Sequence, residues 1–303
     1  MTNPRISVVM PLYNTEAFVA EAIDSVLAQS FGDFELLIVD DGGQDSSLPI
    51  AQSYKDPRIR IISQSNRGLA GARNSGIAAA RGDYVALLDS DDRWLPDKLL
   101  LHIIHLDATP WIDVSYSGSH FIDHEGRRLR QPQQPQLSAI TPEIIFCRNP
   151  VGNGSAAVLR RSTLEALSFR HPAEPARRCY FDEEFRQSED IDMWMRMAMA
   201  GARFEGIAPL LTEYRIVGGG LSANMIRQYE HWQKMVAKLE LTAPDLVQRH
   251  GQRARAYQLR YLARRAVQMG DPALAMMFVR DALACSWRPL TEEPRKTLAT
   301  LGS

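Results

Sequence analysis

Residues 84–92 read Tyr84-Val85-Ala86-Leu87-Leu88-Asp89-Ser90-Asp91-Asp92: five apolar positions run without a break into an acidic turn. A run of this kind is the pattern of a strand buried on both faces. The same design appears twice upstream. Ile6–Met10 ends at Pro11-Leu12-Tyr13-Asn14, and Phe34–Val39 ends at Asp40-Asp41-Gly42-Gly43. A weaker strand is predicted at Ile59–Ile62. Helical spacing fills the gaps. Thr15–Gln29 carries Phe18, Ala22, Ile23, Val26 and Leu27 on one face, with Thr15 expected as its N-cap. Leu69–Ala80 is rich in alanine and stops at Arg81-Gly82. Strand–helix alternation with near-continuous apolar strands predicts an α/β fold, a mostly parallel sheet with helices on both faces. Ligands of such sheets gather outside the carboxyl ends of the strands, where this chain places three polar clusters.

Beyond residue 96 the pattern is less regular. Pro96–Leu106 and Ser188–Ala200 are predicted helices, the second with Glu189, Asp190 and Asp192 in its first turn. Val114–Ser117, Ala156–Leu159 and Phe204–Ile207 read as strands. Gln131–Gln136 reads as an exposed loop, and Ile216–Ala223, with Gly218-Gly219-Gly220, as a mobile one. After Ser222 the chain becomes all-helical. Ile226, Tyr229, Trp232, Val236 and Leu239 form one stripe, and Ala254–Met269 is a second helix. Gly270 closes it, and Asp271-Pro272 opens a third, Ala273–Ala284. With small residues at Ala263 and Ala275, this hairpin is similar to one tetratricopeptide-type unit. The expected division is an α/β body over 1–222 and a helical region over 223–303.

Of the 303 residues 45% are apolar and 23% charged, an ordinary globular composition that excludes disordered and fibrous classes. Cys147, Cys179 and Cys285 form no CxxC pair, which argues against a zinc ribbon or disulfide framework and for a reducing, cytoplasmic setting. No signal peptide is read at the start, and no stretch approaches the roughly 20 apolar residues of a membrane span. Charge is uneven: residues 221–303 hold 13 Lys and Arg against 7 Asp and Glu, and the remainder 22 against 29. An acidic body does not suit nucleic acid. The basic tail suits contact with an anionic surface, such as the inner face of a membrane.

Each motif taken alone has two readings. Asp89-Ser90-Asp91-Asp92 is either an acidic turn ahead of the next helix or a seat for Mg²⁺ or Mn²⁺, which take oxygen ligands. Asp40-Asp41-Gly42-Gly43 is either a turn or part of a phosphate cradle. Asn66–Asn74, with Arg67 and Arg73, is either a capped helix with solvated arginines or a diphosphate site. No GxxxxGK[ST] or GxGxxG occurs, so P-loop and dinucleotide-binding readings fall. Glu189-Asp190-Ile191-Asp192 is either a helix start favoured by the dipole or the place of a general base.

Together the segments resemble glycosyltransferase family 2. The resemblance rests on Val8–Asn14, Ile38–Gly42, Asn66–Ala70, Ala72–Gly76, Gly82-Asp83-Tyr84, Leu87–Asp92 and Glu189–Asp192, and spans about residues 5–217. It implies the GT-A fold and a nucleotide-sugar donor, with a nucleotide-binding half near 1–100 and an acceptor half over 101–222. Pro11 and Tyr13 match positions packing on the base, usually uracil, and Asp41 matches the carboxylate bonding to it. Arg73 matches a position near the diphosphate. Asp89 and Asp91 match the DxD motif, with Asp89 on the ribose side and Asp91, with Asp92, on the Mn²⁺ or Mg²⁺ ion. Asp190 matches the catalytic base, and Asp40 is structural.

The implied chemistry is transfer of a sugar, from a UDP-sugar, to a hydroxyl of a saccharide or glycolipid acceptor in cell-surface polysaccharide or glycolipid synthesis. A metal neutralises the departing diphosphate and a carboxylate takes the acceptor proton. One base and no protein nucleophile imply inversion. Two departures stand out. Gly42-Gly43 replaces a common Gly-Ser, and no His follows Tyr214-Arg215-Ile216, which leaves Arg215 or Ser222 to serve the lid. The rival reading is a silent relative acting as a scaffold through its helical tail. Intact Asp41, Asp91 and Asp190 argue against it. A sugar nucleotidylyltransferase would need a Gly-rich basic first loop, which Leu12–Thr15 lacks.

Overall fold

A computed structural model of the chain describes residues 3–216 and 224–292. They fall into two compact units, residues 1–140 with 150–216, and residues 141–149 with 217–303. The Gly218–Gly220 loop and Ser222 lie outside the described residues.

The first unit is built on an eight-stranded sheet. Its strands are β1 (Ile6–Leu12), β2 (Phe34–Asp40), β3 (Ile59–Ser63), β4 (Tyr84–Leu87), β5 (Arg93–Trp94), β6 (Val114–Ile122), β7 (Ala157–Arg160) and, after the small hairpin β8 (Phe169–Arg170) and β9 (Arg178–Cys179), β10 (Phe204–Arg215). Spatial order is β3-β2-β1-β4-β7-β6-β10-β5. β3, β2, β1 and β4 are mutually parallel, as are β6 and β10; β7 runs antiparallel between β4 and β6. The expected mostly parallel α/β sheet is what forms. β1 and β2 are buried at every position, which is why their sequences lack a polar face.

Helices α1 (Val19–Leu27), α2 (Ser47–Ser53), α3 (Gly68–Ala79), α4 (Lys98–Ala108), α6 (Arg161–Ala166) and α7 (Glu189–Met199) belong to this unit, and α5 is Pro142–Arg148 in the other. α1 buries Ala22, Ile23 and Val26 of the expected stripe together with Val19, while Phe18 and Leu27 are half-buried, and it begins four residues later than Thr15. The Thr15 carbonyl accepts from the Phe18 and Val19 N–H groups, while its hydroxyl meets Ser90 Oγ at 2.9 Å, so the residue serves the strand end instead of capping the helix. α3 packs tightly on the sheet. A Cβ at Gly76 would lie 2.4 Å from Val9 Cγ1, so only glycine permits this approach. The strand order reverses at β1, whose neighbours β2 and β4 leave from opposite sides. This is the switch point at which a crevice opens beyond the strand ends.

The second unit contains α5, α8 (Met225–Thr242), α9 (Pro244–Gln268), α10 (Pro272–Cys285) and α11 (Arg288–Glu292). Gly270 takes a φ of +76° after α9, and the Asp271 side chain accepts from Leu274 N at the start of α10, as the Gly-Asp-Pro reading expects. Ala263 and Ala275 are buried in the core that these helices share with Leu259, Leu262 and Phe278. On α8 the buried face is Met225, Trp232, Met235 and Leu239: Trp232 and Leu239 belong to the predicted stripe, Tyr229 is partly buried, and Met225 and Met235 take the places expected for Ile226, which is exposed, and Val236. The three cysteines are free, and among the described residues no helix is long and apolar enough to cross a membrane.

Candidate active site

Apart from Ser222, which lies outside the described residues, the candidate site residues lie in the first unit, and most gather at the carboxyl ends of β1, β2 and β4. At the end of β1, Pro11 is buried and Tyr13 is exposed, while Asn14 adopts a φ of +51° and its Oδ1 accepts from Gln44 N at 2.8 Å. That bond ties the first strand end to the turn after β2.

Asp41 is buried and heavily engaged. Its Oδ1 accepts from Gln64 Nε2 at 2.7 Å and Arg67 N at 2.8 Å, and its Oδ2 from Gly68 N at 2.8 Å. α3 has no side-chain cap of its own, so a carboxylate from the neighbouring strand end supplies it and meets the positive end of the helix dipole. Asp40 accepts from Gly42 N and shapes the turn.

Arg73 is the hub. Its guanidinium is 1% exposed and bonds through Nη2 to Asp89 Oδ1 and through Nη1 to Glu189 Oε1, each at 2.7 Å. Burial works against the charge, and the two carboxylates more than restore it, so its pKa is raised. A Cβ on Gly154 would lie 2.4 Å from Arg73 Nη2, so a glycine is needed where the chain crosses the guanidinium. Through Arg73 the end of β4 is joined to the start of α7. Glu189 is thus half of a buried ion pair, and not only a first-turn acid as the dipole argument has it. Burial pushes its carboxyl up to about 7, with Asp190 adding to the rise and Arg73 opposing it.

Asp190, one residue on, is partly exposed. Its Oδ1 accepts from Ile191 N at 2.8 Å, and among the described residues no other side chain bonds to it. Burial and the Asp89 charge raise its pKa, while Arg73 pulls it down. Asp192 instead points inward to Arg196 Nε at 2.9 Å. Ser188, ahead of this run, holds a φ of +62°, a strained geometry for a residue with a Cβ.

In the acidic turn the three carboxylates differ. Asp92 is 1% exposed, with Oδ2 accepting from Ser155 Oγ at 2.5 Å and Oδ1 from Arg215 N at 2.8 Å. Asp89 keeps one oxygen beyond its Arg73 bond. Asp91 is partly exposed, and no hydrogen bond or ion pair from another described residue reaches its carboxylate. Burial and the nearby Asp89 charge push it up to about 6. A hard cation relieves that repulsion, so the donor set fits one. Among the described residues no three His, Cys, Asp or Glu side chains converge on a common point, so an ion here would need the oxygens of a bound phosphate and water to complete its shell.

Two residues beneath the turn carry no signal in the sequence. Ser155 is completely buried, and Lys98 is buried with Nζ 2.9 Å from the Ala156 carbonyl and 3.2 Å from Thr212 Oγ1. Burial drives the Lys98 pKa down to about 7, with Asp92 opposing. Arg215 is not lid-like. Its side chain is fully buried, donating to the carbonyls of Asp91, Asp123 and His124 and to Glu21.

Comparison with known proteins bears on the family and the fold. The family model described as Glycosyl transferase family 2 matches residues 7–168. A Rhizobium meliloti (strain 1021) protein described as succinoglycan biosynthesis protein ExoO is 36% identical over 244 residues, 77% of this chain and 66% of its own length. The matched stretches span only 26% to 34% of the length of three other curated relatives. Among solved structures, S. aureus TarS 1-349 in complex with UDP-GlcNAc aligns over 98% of this chain and 88% of its own, with a TM-score of 0.63 at 19% identity. The mannosyltransferase PcManGT from Pyrobaculum calidifontis, in complex with GDP-Man and Mn²⁺, aligns over 100% and 87%, with a TM-score of 0.61 at 19% identity. These likenesses establish the fold as the GT-A type.

Proposed function

This chain belongs to glycosyltransferase family 2, and on that footing we propose that it transfers a sugar from a nucleoside-diphosphate donor to an acceptor hydroxyl with inversion at the anomeric carbon. The observation that carries the reading is the pairing made through Arg73. It ties Asp89, two residues before Asp91, and Glu189, the neighbour of Asp190, to one guanidinium, and among the described residues no cation pairs with either Asp91 or Asp190.

The donor lies across the carboxyl ends of β1, β2 and β4. Pro11 and Tyr13 pack on its base, and Asp41, whose Oδ2 accepts only one bond, takes a base N–H. Asp89 keeps an oxygen for the ribose side, and Arg73 holds that carboxylate in place from below. A divalent cation, Mn²⁺ or Mg²⁺, held by Asp91 would neutralise charge on the departing diphosphate. Asp92 fixes the turn, since both its oxygens are occupied. Asp190 accepts the proton of the attacking hydroxyl; burial and the Asp89 charge raise its pKa, which strengthens it as a base. The domain so used is 1–222, with acceptor contacts drawn from 101–222.

The similarity to TarS bound to UDP-GlcNAc supports a UDP-sugar, and the similarity to ExoO supports an acceptor within polysaccharide or glycolipid synthesis. The basic region 223–303 rests on the anionic inner surface of a membrane. Exposed Met276, Met277 and Trp287 beside Arg280 and Arg288 support that contact. A thermal-shift screen of nucleotide sugars with Mn²⁺ tests the function. UDP-sugars are expected to raise Tm more than GDP-sugars; a larger rise with GDP-sugars reassigns the base, and no rise with any donor refutes the reading.

A further inference from the structure

The turn Asp89–Asp92 is tied from several sides. Asp92 N closes it onto the Asp89 carbonyl at 3.0 Å, Ser90 Oγ meets Thr15 Oγ1, and Arg215 Nε holds the Asp91 carbonyl at 2.8 Å. Two ties converge on a single atom. Ser155 Oγ accepts from Asp89 N at 3.0 Å and donates to Asp92 Oδ2 at 2.5 Å, so one hydroxyl grips both ends of the turn. A serine hydroxyl suits this because it donates once and still accepts, and the bond to a carboxylate is of the short, charge-assisted kind. Ser155 is itself fixed. Its carbonyl accepts from Trp94 Nε1 at 2.9 Å, the next carbonyl binds Lys98 Nζ, and the preceding Gly154 is pressed against Arg73. Among the described residues, none bonds to the one remaining side chain of the turn, Asp91.

We propose that Ser155 is a positioning residue whose hydroxyl holds the Asp89–Asp92 turn in the one shape that leaves the Asp91 carboxylate free for a divalent cation. The inference rests on the metal role of Asp91 proposed above. Without the hydroxyl, Asp89 N and Asp92 Oδ2 lose a buried partner together. The turn then relaxes, and Asp91 no longer stands where an ion between it and a diphosphate requires it.

The test is an electron paramagnetic resonance titration of Mn²⁺ into the full chain in the presence of UDP. Groups that orient a metal ligand typically contribute about 10–100-fold in affinity, so Ser155→Ala is expected to weaken Mn²⁺ binding by about tenfold or more. Ser155→Thr, which keeps the hydroxyl, should stay close to the native value. Ser117→Ala deletes another buried serine hydroxyl of the same unit, one that accepts from Lys98, and should also stay close. Ser155→Cys, similar in size but a poor donor, serves if the alanine variant does not fold, and the same weakening is expected. Native affinity in Ser155→Ala or Ser155→Cys, while Asp91→Ala loses binding, overturns the role of Ser155 alone. Native affinity in Asp91→Ala overturns the metal reading and this inference with it. An equal loss in Ser155→Thr or Ser117→Ala assigns the effect to packing and also overturns it.

Discussion

Glu189 and Asp190 are adjacent acids with separable duties. Asp190→Asn keeps shape and hydrogen bonding but removes the proton acceptor. Transfer should fall by about 10²–10⁴-fold with UDP affinity little changed. Glu189→Gln instead leaves the buried Arg73 with a single carboxylate, and breaking such a pair typically costs about 3–5 kcal/mol, so Tm should drop markedly. Transfer assays, calorimetry and thermal melts on both variants decide. Near-normal transfer in Asp190→Asn moves the base elsewhere, and loss of UDP binding there puts the carboxylate in the donor site. The places of Asp89, Asp91 and Asp190 at element ends were legible in the strand and helix patterns, and their expected roles came from the family resemblance. The Arg73–Glu189 pair was not, since its members are 116 residues apart and only the folded sheet brings them together. Ser155 was illegible for the same reason, with partners more than sixty residues away.

Elements with dense apolar runs were read nearly to their ends, as β1, β2 and β4 illustrate. β6 and β10 run well past the predicted Val114–Ser117 and Phe204–Ile207. In β6 the sequence turns to Ser117, Gly118, Ser119 and His120, and in β10 Pro209 falls where the register shifts against β6, so the alternating apolar signal fades while the ladder continues. α9 likewise starts ten residues before the predicted Ala254, through a polar stretch whose few buried positions give little period. α10 was placed well, but its solvent face was not foreseen. Ala273, Met276, Met277, Arg280 and Ala284 share one exposed side, with Trp287 just beyond. Such a face, apolar with cationic members, suits an anionic bilayer. The full chain should pellet with anionic vesicles at low salt and release as salt rises, and Met276→Glu with Met277→Glu should weaken pelleting. No pelleting of the native chain at low salt contradicts the contact.

Across the whole chain, the proposed site lies where the strand order turns back between β2 and β4, and residues from several separate stretches meet there. On the proposed reading the acidic character of the first 220 residues is put to use there: Arg73 pairs with Asp89 and Glu189, while among the described residues Asp91 and Asp190 have no cationic partner. An account in which that surplus charge is matched by an ion on a nucleoside diphosphate makes a direct demand on binding. Calorimetric titration of UDP should give tight binding with Mn²⁺ and a large loss of affinity in EDTA, and Asp91→Ala should bind as weakly with Mn²⁺ as the native chain does without it. Equal affinity with Mn²⁺ and in EDTA, unchanged in Asp91→Ala, would contradict the account.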